Sequence, residues 1–159
     1  MRVGIGNDHA AVNFKNILKE YLENKGFEVI DYGSTDPQAK DDYPDFGQAV
    51  AEALVAGKID KGVVICGTGV GISLAANKVP GIRCGVCSDT ATARLIVQHN
   101  NANMISLGER IEALSLLRIS LTHSSAQSSK ADVTHAALIR SLQSKRSIIS
   151  NSSAQAELE

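Results

Sequence analysis

The chain has 159 residues, of which 43% are hydrophobic and 21% charged, and its formal net charge is −1. That length favours one domain with a core large enough to need no staples, and that composition excludes a disordered chain. A charge so near zero supplies no global basic field, so neither nucleic acid nor an anionic membrane is an expected partner.

Short β-rich runs alternate with helical patterns. "RVGIG" predicts a strand over 2–6. A helix follows over about 10–25, with Val12, Phe14, Ile17, Leu18, Tyr21 and Leu22 on one face, and Gly26 stops it. "FEVIDYG" (27–33) reads as a second strand and the polar stretch 34–42 as a loop. Pro44 suits the first turn of a helix over 44–56 that Gly57 ends. "GVVIC" (62–66) is a third strand, followed by a short helix over 72–78. "IRCGVC" (82–87) is a fourth strand, with a helix over about 89–98 after it. "ANMISLG" (102–108) is a fifth, with a helix near 112–121. Eleven serines then fall between Ser120 and Ser153. One more helix is expected over about 131–146, with Ala137, Leu138 and Leu142 on a face, and 147–159 reads as a flexible tail outside a single domain of residues 1–146. Strands alternating with helices predict a five-stranded parallel sheet covered on both sides, a three-layer α/β/α Rossmann-like sandwich.

Three cysteines, an odd number, argue against a disulfide framework. The opening "MRVGIGNDHAA" lacks the apolar run of a leader, and no stretch approaches the roughly 20 apolar residues of a membrane span. The cytoplasm is the expected compartment.

Ligands of open α/β sheets sit beyond the carboxyl ends of the strands. The residues that follow the strands are Asn7, Asp8 and His9; Cys66 to Gly71; Ser88 and Asp89; and Gly108, Glu109 and Arg110, with His99 and Asn100 ending the helix before the fifth strand. His9 and His99 are expected at or near the rim that carries Cys66 and suit acid–base roles there. Asp8 is a helix cap or a site residue. Asp42, Tyr43, Pro44 and Asp45 are either a helix start alone or one from which Tyr43 and Asp45 reach the site.

The loop Gly67-Thr68-Gly69-Val70-Gly71 fits neither G-x-G-x-x-G nor the nucleotide P-loop, since Lys78 lies too far along. Glycines here let backbone N–H groups approach an anion, a phosphate or a developing oxyanion; the alternative is a tight turn with no ligand. A helix N-terminus favours the thiolate of a neighbouring cysteine. Cys66 is therefore a base or nucleophile, with Thr68 donating a hydrogen bond to its sulfur, or else an inert buried thiol. Cys84 and Cys87 are three apart on a strand, so they point to opposite faces and read as small core residues and not as a redox or zinc pair.

Taken together, "GNDHAA", "DDYPDF", "ICGTGVGISLAANKVPGIRCGVC" and "QHNNANMISLGER" resemble the type B ribose-5-phosphate isomerases and their relatives, the galactose-6-phosphate and allose-6-phosphate isomerases. The resemblance runs from about Arg2 to Arg110. It implies interconversion of ribose 5-phosphate and ribulose 5-phosphate in the pentose phosphate pathway, with no metal or cofactor, by a homodimer or homotetramer whose sites are shared between subunits. It implies Cys66 as the base between C1 and C2, assisted by Thr68, and the N–H groups of Gly67, Gly69, Val70 and Gly71 as donors to the enediolate. It also implies His99 and Asn100 from a neighbouring subunit, His99 helping to open the furanose ring. Asp8 and His9 would contact substrate and Arg110 would lie close to the phosphate; Tyr43, read above from its place at a helix start, is counted with the substrate-binding residues. The family's two C-terminal arginines are replaced here by Thr134 and Leu138, with Lys130 and Arg140 nearby at different spacing. A six-carbon sugar phosphate is the alternative substrate, a non-catalytic phosphate-binding module the alternative class.

Overall fold

The computed structural model describes residues 1–111. The helix expected near 112–121, the helix over 131–146, the tail, and Thr134, Leu138, Lys130 and Arg140 lie outside the described residues.

Five strands form one sheet: β1 (Arg2–Asn7), β2 (Glu28–Asp31), β3 (Lys61–Cys66), β4 (Cys84–Val86) and β5 (Met104–Gly108). Their order is β2-β1-β3-β5-β4 and every pairing is parallel. Four helices connect them: α1 (Val12–Asn24), α2 (Tyr43–Val55), α3 (Val70–Ala76) and α4 (Thr90–Asn100).

The two-residue period of the strands divides the core in two. Val3 and Ile5 of β1, Val63 and Ile65 of β3, and Ile105 and Leu107 of β5 pack with Leu18 and Leu22 of α1 and Ala93 of α4. Val64 and Cys66 of β3 and Met104 of β5 pack on the other side with Val50, Ala51 and Ala53 of α2 and Ile72 and Ala76 of α3. Each large aliphatic side chain buried this way contributes about 1.5–3 kcal/mol. The result is the expected three-layer sandwich. On the α2 side β1 presents glycine, and a Cβ on Gly6 would lie 2.7 Å from Val50 Cγ2 and 3.1 Å from the Phe46 carbonyl oxygen. That close approach sets the first turn of α2, with Tyr43, over the carboxyl end of the sheet.

Several boundaries differ from expectation. The first helix begins as a 3₁₀ turn (His9–Ala11) capped by Asp8, whose Oδ1 accepts the Ala10 N–H at 3.1 Å. Ile17 is 59% exposed, while Lys15 occupies the buried face at 1% exposure. Lys15 is buried because its ammonium reaches Asp31 Oδ2 at 3.0 Å and the Ser34 carbonyl at 3.0 Å, which satisfies the charge. β2 stops at Asp31, whose side chain accepts the Gly33 N–H and turns the chain. β4 keeps only three residues, because the Arg83 N–H goes to the Asn103 side chain. α3 begins at Val70, within the glycine loop and two residues earlier than expected.

Candidate active site

The carboxyl ends of β1, β3 and β5 bring three segments together. β1 and β3 are paired through Asn7 and Ile65, and β3 and β5 through Cys66 and Gly108. The segments beyond them are Asn7-Asp8-His9, Cys66 to Gly71, and Gly108-Glu109-Arg110.

Cys66 ends β3 with 5% exposure. Its Sγ accepts the Gly69 N–H at 3.2 Å, so the loop folds back over the sulfur. Gly69 makes that fold with φ of +78°, a left-handed conformation natural to glycine. A Cβ there would lie 2.9 Å from the Leu107 carbonyl carbon. The Ser106 hydroxyl donates to the Gly69 carbonyl and fixes the loop on β5. The Thr68 hydroxyl does not serve the sulfur as expected. Its Oγ1 accepts the Val70 N–H at 3.3 Å, two residues on, and the sulfur is met by the Gly69 N–H instead. Two of the expected oxyanion donors, Gly69 and Val70, are thus already engaged within the loop.

Tyr43 and Arg110 flank the loop. A Cβ on Gly71 would lie 2.8 Å from Tyr43 Cε2 and Cζ, and one on Gly67 would lie 3.3 Å from Arg110 Cζ and Nε. The Arg110 N–H donates to the Gly67 carbonyl at 3.0 Å. The glycines admit a tyrosine ring and a guanidinium where side chains would exclude them.

Asp8 is 7% exposed, and burial pushes its carboxyl above the usual range against the pull of the Ala10 N–H. Glu109 is also raised, by burial and then by the Asp8 charge. His9 was expected at this rim; its partner was not. Asp41 Oδ1 lies 2.6 Å from His9 Nδ1 and accepts the His9 backbone N–H at 3.0 Å. The hydrogen bond to Asp41 raises the imidazole above its ordinary value. Burial works against the Asp41 charge, but hydrogen bonds from Ser34 and His9 outweigh it and hold the carboxyl low. The acidic pair Asp41-Asp42 before Tyr43-Pro44 was the only local hint of this contact. Asp45 lies in the first turn of α2 and is exposed.

His99 and Asn100 are not on this rim in the same chain. After a parallel strand the helix runs back, so the end of α4 lies at the amino ends of the strands. There Arg83, just before β4, donates through Nε to the Asn100 carbonyl. A cavity of about 300 Å³ lies at this far end, lined by Asn77, Arg83, Cys84, Ile96 and Asn100 among others. It holds none of the rim chemistry. His99 and Asn100 are exposed.

Cys84 and Cys87 lie on opposite faces, Cys84 against the α2–α3 core and Cys87 within the α1–α4 core. Burial pushes their thiols up to about 12 and about 11 respectively, so both are inert packing residues at neutral pH. Among the described residues no helix is long and apolar enough to cross a membrane.

Comparison with known proteins gives the family of the chain. Residues 3–140 match the family model described as Ribose/Galactose Isomerase. The chain is 42% identical over 118 residues to the ribose-5-phosphate isomerase B of Escherichia coli, a match covering 74% of this chain and 78% of that one. It is 46% identical over 117 residues to a galactose-6-phosphate isomerase subunit of Clostridium acetobutylicum, covering 74% and 67%. Among solved structures, a Clostridium thermocellum ribose-5-phosphate isomerase B superposes with a TM-score of 0.69 at 41% identity, covering 93% of this chain and 99% of the other.

Proposed function

The chain belongs to the ribose/galactose isomerase family and is an aldose–ketose isomerase of sugar phosphates, and from that premise we propose that it interconverts D-ribose 5-phosphate and D-ribulose 5-phosphate. The observation that carries this reading is the Cys66 sulfur, set at the end of β3 and folded under a glycine loop. In the open-chain aldose the sulfur takes the proton from C2. The C–H electron pair forms the C1–C2 double bond, and the carbonyl pair moves onto O1. The proton then returns to C1 while the O2 hydroxyl gives its own to O1 and C2 becomes the carbonyl. Negative charge develops on oxygen throughout, and preorganised N–H donors lower the barrier most where that charge grows. Because Gly69 and Val70 are engaged, the N–H groups of Gly67 and Gly71 are the donors assigned to the enediolate, and Thr68 supports the loop that aims them. Asp8, His9 and Tyr43 contact the substrate, and Arg110 lies on the phosphate.

His99 and Asn100 lie at the far end of their own sheet, which favours a site completed by a second copy of the chain. In a homodimer or homotetramer of the cytoplasm, His99 of one copy opens the furanose ring at the Cys66 of another. A six-carbon sugar phosphate is the second reading, favoured by the identity to a galactose-6-phosphate isomerase subunit.

Cys66→Ala is expected to lower kcat by at least about 10³-fold, the scale of a lost general base, with an unchanged far-ultraviolet spectrum. Ribulose 5-phosphate formation from ribose 5-phosphate, measured for wild type and variant, checks it. A variant as active as wild type removes Cys66 from the mechanism. A wild type inactive on ribose 5-phosphate but active on allose or galactose 6-phosphate favours the second reading.

A further inference from the structure

We propose that Asp41 is a positioning residue, pinning the His9 imidazole through Nδ1 so that its Nε2–H donates, together with Arg110, to the phosphate of the substrate. This rests on the sugar-phosphate reading above. Asp41 Oδ1 grips His9 twice, at the backbone N–H (3.0 Å) and at ring Nδ1 (2.6 Å). The double contact fixes both the main chain and the ring plane, and commits Nδ1 as the donor toward the carboxylate. Nε2 is left for a ligand on a ring that is 40% exposed, while the Asp41 side chain is only 15% exposed.

The loop carrying Asp41 is itself anchored. The Ser34 N–H donates to the Asn7 carbonyl at 2.9 Å, and the Ser34 carbonyl accepts from buried Lys15 at 3.0 Å and from Asn7 Nδ2 at 3.3 Å. A carboxylate on such a frame is a fixed charge and not a roaming surface group. The groups that face His9 are Asp8 from its own segment, Asp41 from the loop and Arg110 from beyond β5. Burial and then the Arg110 charge favour the neutral imidazole, whose Nε2 would be an acceptor that repels a phosphate oxygen. Asp8 and Asp41 oppose this, and Asp41 dominates through its hydrogen bond. A charge-assisted donor beside a guanidinium suits a phosphate dianion.

The test is a nuclear magnetic resonance titration of the His9 ring in the full chain, with and without inorganic phosphate. The signal is assigned by its loss in His9→Gln, since the chain holds four histidines. In Asp41→Asn, which keeps an acceptor but not the charge, the His9 midpoint falls. Inorganic phosphate raises the midpoint of wild type and raises that of the variant less. With ribose 5-phosphate, Asp41→Asn increases KM about tenfold near pH 7.5 with kcat nearly unchanged, the scale of one weakened charged hydrogen bond. The gap closes as the pH falls toward about 5.5, where the ring is protonated in either protein. Asp41→Glu restores most of the KM.

An unchanged His9 midpoint in folded Asp41→Asn overturns the proposal. So does a wild-type midpoint that phosphate does not move, or a loss in kcat with no change in KM. Should Asp41→Asn not fold, a wild-type midpoint at or below the ordinary 6.5 overturns it and a higher one that phosphate raises further supports it. If wild type isomerises no sugar phosphate, the functional reading fails, while the His9 titration with phosphate still decides the role of Asp41.

Discussion

One oxygen of Asp41 serves two hydrogens of His9, and this small arrangement has a signature in stability as well as in binding. The folded pKa of Asp41 lies below its ordinary 3.8, so its contribution is present above that value and is lost as the pH falls through the folded one. The folded pKa of His9 lies above its ordinary 6.5, so its contribution is full below 6.5 and is lost as the pH rises through the folded one. The pair therefore favours the fold most between about pH 4 and 6.5. The melting temperature of wild type should exceed that of Asp41→Asn by the most in that window and converge with it on both sides. Thermal denaturation of the two proteins from acid to alkaline pH checks this, and a constant difference would count against it. Asp8 is raised by burial, so its own contribution has the opposite acid limb: it is present at low pH and lost as the pH rises through its folded value. At this scale the sequence was readable at some local contacts, though not at Thr68, whose Oγ1 meets the Val70 N–H. Asp8 caps the turn that it opens, and Cys66 meets an amide three residues on. Asp41 was missed because it lies 32 residues from His9, and no periodicity links a loop carboxylate to a distant imidazole. Ile17 and Lys15 were misread for a related reason: apolar periodicity assigns lysine to water unless a partner such as Asp31 is known.

Among the elements, the turn from β3 to α3 bears the most constraint in the fewest residues. Gly69 needs its left-handed φ, and the space for a Cβ is filled by the β5 backbone. Gly108 on β5 faces the same turn, and a Cβ there would lie 2.7 Å from the Thr68 carbonyl carbon and oxygen. Neither obstacle is a side-chain tip that can swing aside. Gly69→Ala should lower the melting temperature by roughly 5–10 °C, from backbone strain of about 1–2 kcal/mol together with the clash. It should also reduce kcat by about 10²-fold, the cost of displacing catalytic groups by about 1 Å. Calorimetry and a turnover assay read the two effects separately, and a variant with wild-type values in both would mean that the turn tolerates an alternative shape. All five strands and four of the expected helices were legible, because strand–helix alternation and glycine stops are strong local signals. Edge strand β4 was overestimated, since hydrophobic runs do not reveal that Asn103 intercepts the Arg83 N–H.

For the whole molecule, the decisive fact is the distance between the two ends of one sheet. Cys66 stands at the carboxyl end of β3, and His99 stands at the end of a helix that has returned to the amino side. Strand–helix alternation already contains this result, but reading His99 as a neighbour of the fifth strand concealed it. If sites are shared, Cys66→Ala and His99→Asn homodimers each lack one group at both sites. Equal amounts unfolded together and refolded should then recover activity at about a quarter of the wild-type sites, since half the random dimers are mixed and each carries one intact site. Mixing without refolding should recover less. No recovery in properly assembled mixtures would place both groups in one chain's site by some other arrangement.

The glycine turn has an evolutionary consequence as well. On the function proposed above its donors are main-chain amides, and no substitution other than proline deletes an amide hydrogen. The donors to the developing oxyanion are therefore largely shielded from side-chain drift, whereas Cys66, and Tyr43 and Arg110 pressed against the same glycines, are ordinary targets for it. A lineage built this way can exchange one sugar for another by editing the rim and keep its chemistry intact. Relatives named for ribose and for galactose phosphates are what such a division of labour would leave behind.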